Sequence, residues 1–158
     1  MNLVGRIHRH FPSLATWDGR MMRGDVFTDE DEIDFLRRTC SGKAWRDVPA
    51  EEASGIYFSP AHYLTREGVL YVLPLLMTAS VKVRESDASM HLINSINDVR
   101  QQLFGLPFNL TEAQKEVIID WLRFIQERDE GEFWGDATSM LEKLSNDGYC
   151  KGYVRKYP

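Results

Sequence analysis

Thr65-Arg66-Glu67-Gly68-Val69-Leu70-Tyr71-Val72-Leu73-Pro74-Leu75-Leu76-Met77 is the stretch on which the fold turns. Thr65 has the side chain of a helix N-cap, and Glu67 places a carboxylate in the first turn, opposite the positive end of the helix dipole. From 69 to 77 the residues are apolar on every face, and a helix of that kind is covered on all sides. The stretch is too short to cross a bilayer, which takes about 20 residues. It therefore predicts a buried central helix. Pro74 lies inside it, where it leaves the Leu70 carbonyl without a donor and kinks the axis. A buried strand is the competing reading, but Pro74 would interrupt its ladder.

Amphipathic elements surround this one. Leu3, Ile7 and Phe11 repeat every four residues, predicting a short helix ended by Pro12. Thr16-Trp17-Asp18-Gly19 reads as a turn, with Met21, Met22, Val26 and Phe27 anchoring a loop over 12–27. Thr28, the acidic run 29–32, Arg37, Arg38 and Ser41-Gly42 mark both ends of a second helix, whose Ile33 and Leu36 face inward with Phe35 a further candidate. Pro49 opens one helical turn to Ala53. Residues 55–64, with Ile56, Tyr57, Phe58, Tyr63 and Leu64, read as an extended, buried connector with room for a short strand. Leu92, Ile96, Val99 and Leu103 form the stripe of a helix opened by Asp87 and ended by Gly105 and Pro107. Thr111-Glu112-Ala113-Gln114 fits a capping box, and Ile118, Trp121, Leu122 and Ile125 follow on one face. A last helix starts at Asp136 or Thr138 and runs to about Leu144. With no repeat or linker in view, the expectation is an all-α, single compact domain over 1–158. It holds about six helices around a buried, Pro-kinked central helix.

The chain has 158 residues, enough to bury a core without a metal or disulfide staple. Its formal net charge of −5 disfavours nucleic acid and favours a basic partner. Cys40 and Cys150 stand far apart with no zinc spacing, and read as free thiols; a disulfide between them is the lesser alternative. Arg6, His8, Arg9 and His10 precede no apolar segment of the secretory kind. With no membrane-spanning run either, the expected location is the cytoplasm.

Motifs that carry chemistry are missing. There is no G-x-S-x-G, no phosphate-binding G-x-x-x-x-G-K, no G-x-G-x-x-G and no H-E-x-x-H. His8 and His10 diverge on a helix and cannot share a metal on one face; no cofactor or metal is expected. The carboxylates cluster in two runs, 29–34 and 127–136. Both read as solvated charge, or as an acidic docking face made of Asp29, Glu30, Asp31, Glu127, Asp129, Glu130, Glu132 and Asp136. Phe133 and Trp134 lie inside the second run, and Trp134 would be its aromatic anchor, unless it packs inward. The tail, with Tyr149, Lys151, Tyr153, Arg155, Lys156 and Tyr157, mixes basic and aromatic residues as single-strand binders do. Its shortness favours a docked or frayed terminus.

Three ordered pieces then resemble a known pattern. Gly42-Lys43-Ala44-Trp45-Arg46-Asp47-Val48 resembles a G-K-x-W-x-(D/E)-(L/V) element. The 64–74 stretch, Leu64 through Pro74, resembles L-(S/T)-x-E-(A/G)-x-x-Y-x-L-P. Leu110-Thr111-Glu112-Ala113-Gln114 through Trp121-Leu122 resembles an L-T-x-x-Q helix ending in an apolar pair. In this order they resemble a bacterial family of uncharacterised small proteins, a domain of unknown function. Val72 departs from its pattern, which has a second aromatic there. The resemblance covers about 28–126 and implies no reaction. From their own chemistry Trp45, Tyr71 and Pro74 read as structural, a buried anchor, a core ring with a hydroxyl to satisfy and a kink; a kink whose free Leu70 carbonyl lines a pocket is the lesser alternative.

The functional expectation is a non-catalytic protein-binding protein, most concretely an immunity protein that neutralises a toxin by occluding it through an acidic face. The alternatives are a hydrolase-like enzyme with a site near His62, and a structural or regulatory subunit.

Overall fold

The computed structural model describes residues 2–12, 15–24, 30–105, 108–129 and 136–150; of Glu30, His62 and Asp136 it describes the backbone alone. Eight α-helices are formed among them: α1 Leu3–His10, α2 Glu30–Cys40, α3 Ala50–Ala53, α4 Arg66–Lys82, α5 Ala88–Asp98, α6 Arg100–Phe104, α7 Glu112–Arg128 and α8 Asp136–Asn146. Gly19–Met21, Trp45–Asp47 and Pro60–Tyr63 are 3₁₀ turns. The protein is all-α; the described residues form isolated bridges, Thr16 to Ala44, Trp17 to Ser41 and Met22 to Leu64, but no strand.

α4 is the centre. Its Thr65 hydroxyl accepts from the Gly68 amide, and twelve of its residues between Gly68 and Ser80 are buried, with Leu70 half-buried. The helix runs through Pro74, which is itself buried. α1, α3, α5 and the three 3₁₀ turns pack on α4, while α7 packs on α1 and α8. None of the described helices is long and apolar enough to cross a membrane.

Polar groups join α4 to α7 inside the core. Trp121 Nε1 donates to Ser80 Oγ at 2.9 Å, and Ser80 Oγ donates to the Met77 carbonyl at 2.9 Å. Arg128 donates to the Ser80 carbonyl and stacks over Phe124, 5.4 Å from the ring centroid. The indole, the hydroxyl and the guanidinium of this network are thereby all partnered, as a dry interior requires.

The ends of the elements follow local chemistry. The capping box at Thr111 and Gln114 forms with both reciprocal hydrogen bonds. α8 ends in a Schellman motif: Gly148 takes φ +82°, its amide reaches the Ser145 carbonyl, and the Tyr149 amide reaches that of Leu144. Three expectations need correction. The continuous helix expected after Asp87 breaks at Val99 into α5 and α6, letting Arg100 reach Asp147 at 2.6 Å while Leu103 and Phe104 stay buried. The 55–64 connector holds a 3₁₀ turn, and its extended backbone contributes a single bridge at Leu64. Tyr57, expected to be buried there, is exposed.

Candidate protein-docking site

The two sequence pieces around Trp45 and Tyr71 meet in space, and their meeting is structural. The Tyr71 hydroxyl donates to the Lys43 carbonyl at 2.8 Å, and its ring stands edge-on to Trp17 at 5.1 Å. The Trp17 amide donates to the same carbonyl, and the Gly42 amide to the Trp17 carbonyl, with Gly42 at φ +72°. Trp45 is buried against His8, ring centroids 4.9 Å apart. Cys40 lies under this corner, 1% exposed, and burial pushes its thiol up to about 12, beside the Tyr71 hydroxyl. A thiol so shielded stays protonated at neutral pH and is a poor nucleophile. Burial likewise pushes the Tyr71 phenol up, with Cys40 beside it a further cause.

Cys150 is buried elsewhere, 3.8 Å from Arg123 Nη2, and both thiols are free. The His62 side chain lies outside the described atoms. Among the described residues no three His, Cys, Asp or Glu side chains converge as a metal site would need. An apolar cavity beside α4, between Leu73, Leu92, Ile96 and Leu103, measures about 10 Å³. That is space for one water at most.

Among the described residues an open groove runs along α2, about 680 Å³, lined by Asp31, Asp34, Phe35, Arg37, Arg38 and Tyr57. Asp31, Asp34, Phe35 and Arg38 recur at i, i+3, i+4 and i+7 and so share one face of the helix. Leu36 and Cys40 hold the opposite face in the core. Tyr57 is 52% exposed, the one large hydrophobic side chain so placed among the described residues. An edge-to-face chain holds it: Phe35 to Tyr57 at 5.9 Å, Tyr57 to Phe58 at 5.2 Å, and Phe58 to Tyr63 at 5.7 Å. A rigid, amphipathic ring beside carboxylates and guanidinium groups has the composition of a protein-contact hot spot.

The residues that the sequence marks for partner binding fare differently. Asp31 lies in the groove, exposed. Glu30 and Asp136 are the first residues of α2 and α8. Glu127 is exposed near the end of α7. Asp29, Glu130, Glu132 and Trp134, with Phe133, lie outside the described residues, as does the tail from Lys151 onward. Asp129 is corrected: its carboxylate is 6% exposed and meets Arg128 with both oxygens, at 2.8 and 3.0 Å. It belongs to the α4–α7 polar network, where a buried guanidinium needs a counter-charge. Asp34, already within the acidic run 29–34, lines the same groove as Asp31, together with Phe35, Arg37, Arg38 and Tyr57. The helical spacing of the α2 residues was readable in the sequence; the exposure of Tyr57 had no local signal.

The chain matches no family model, no curated protein and no solved structure.

Proposed function

We propose that the protein is a non-catalytic binding protein of the toxin-neutralising, immunity kind, which occludes a basic partner docked on the α2 groove. The observation that carries this reading is Tyr57, exposed and braced by Phe35 and Phe58, beside the Asp31 and Asp34 carboxylates. The net charge of −5 steers a basic partner toward the molecule. Tyr57 then supplies contact area at little entropic cost, since its ring is already held in place. The absence of catalytic sequence motifs and the shielding of Cys40 fit a protein that acts by covering another.

The test is capture of partners from native cell extract by the wild-type protein, by Asp31→Lys/Asp34→Lys and by Tyr57→Ala. The expected result is a basic protein held stoichiometrically by the wild type at low salt and lost by both variants, whose toxicity is relieved when the wild type is coexpressed with it. Capture of the same proteins by all three would overturn the role of the groove.

A further inference from the structure

The charges along the exposed face of α2 run in one order, acidic at its N-terminal half and basic at its C-terminal half: Asp31 and Asp34, then Arg37 and Arg38. Such a face matches itself when turned end for end. We propose that the α2 groove is also a two-fold contact with a second copy of this chain, with the two α2 helices antiparallel.

The geometry follows from the helix repeat. Asp31 and Arg38 are seven residues, about 10 Å, apart along the axis. A two-fold axis that passes beside α2, at the level between Asp34 and Phe35, lies midway between them. Asp31 of each copy then stands across from Arg38 of the other, and two identical ion pairs flank the centre. A closed, isologous contact requires that self-complementarity. Phe35 and the exposed ring of Tyr57, 5.9 Å apart, supply the apolar surface near the axis. Within one chain Arg37 and Asp34 are 3.9 Å apart and both well exposed, and Arg38 reaches the Asp34 carbonyl at 3.4 Å. The lining carries two carboxylates and two guanidinium groups; when the copies are antiparallel each Asp31 faces an Arg38, and the two Asp34 carboxylates, which meet nearest the axis, each have Arg37 of their own chain 3.9 Å away. One short helix face and one aromatic ring make a small contact, so the dimer is a weak one that forms with concentration and weakens with salt.

Sedimentation equilibrium of the full chain, from low to high micromolar concentration and at low and moderate salt, reads the result directly. The wild type is expected to pass from 18.3 kDa to twice that mass as concentration rises. Asp31→Arg and Arg38→Asp each place like charges across the axis and are expected to be monomeric alone. Mixed together, they pair with each other, because position 31 of each variant then faces a charge of opposite sign at position 38 of the other. The double exchange Asp31→Arg/Arg38→Asp restores the dimer of a single species. Formation of the mixed dimer also establishes that both variants are folded. A wild type that stays monomeric throughout overturns the proposal. So does a dimer that neither single reversal disturbs, or singles that fail to pair when mixed. The measurement uses no other protein, so it is separable from the binding function above. A monomeric wild type that still captures a basic partner removes the dimer alone; a dimer that captures nothing removes the partner alone.

Discussion

Asp129 and Glu127 stand two positions apart at the end of α7, and the sequence treats them alike. Their surroundings do not. Glu127 is exposed, and a substitution there changes stability by about 0.5 kcal/mol or less. Asp129 and Arg128 have side chains 6% and 12% exposed, and removing the carboxylate leaves a guanidinium buried without its counter-charge. Asp129→Ala is therefore expected to cost roughly 3 kcal/mol, and Glu127→Ala almost nothing, in urea unfolding followed by circular dichroism. Equal losses at the two positions would contradict the ion-pair account. The same contrast explains why a run of acidic letters does not by itself make a docking face: one of them is part of the core.

At the scale of the element, α4 owes its position to a glycine as much as to its apolar residues. A Cβ at Gly68 would stand 2.2 Å from the Met21 carbonyl, the same carbonyl that accepts from the Thr65 amide at 3.0 Å. The first turn of α4 thus rests directly on the 3₁₀ turn Gly19–Met21, backbone to backbone. Gly68→Ala forces these elements apart and is expected to destabilise the fold by about 3 kcal/mol, although alanine is the better helix former. Gly24→Ala, where a Cβ meets open space, is the matching control and is expected to be near neutral. Thermal unfolding of both variants checks the pair; a Gly68→Ala protein as stable as the wild type would mean that α4 can shift without loss.

For the whole molecule, two histidines link stability to pH. Burial lowers the His8 pKa below its ordinary value of 6.5, and the Arg46 and Lys82 charges lower it further. Its Nε2 is buried and has no hydrogen-bond partner among the described residues. Burial also lowers that of His91, partly offset by Asp87. The folded state keeps both neutral, while the unfolded chain takes up protons as pH falls through about 6.5. The unfolded state then binds more protons, so their contribution is complete above that value and is lost below it, until the folded pKa values are passed. The urea midpoint is expected to fall between about pH 7.5 and about pH 5.5, and to fall less in His8→Gln/His91→Gln. An unchanged pH slope in the double variant would place the acid sensitivity in the carboxylates.

Helix identity was readable along much of the chain because it rests on local causes: the capping box at Thr111, the N-cap at Thr65, and the all-round apolar run that makes α4 central. Those are interactions within a few residues, and the order of letters carries them. The break at Val99, the burial of Asp129, the exposure of Tyr57 and the shielding of Cys40 arise between residues far apart in the chain. Arg100 bends toward Asp147, Arg128 reaches back to Ser80, Phe35 on α2 props Tyr57 of the 55–64 connector, and Tyr71 covers Cys40. The candidate surface belongs to this second class. The sequence determined that α2 is a helix with acidic and basic halves; only packing decided which of its faces meets the solvent and which aromatic ring stands beside it, because burial is a property of neighbours in space.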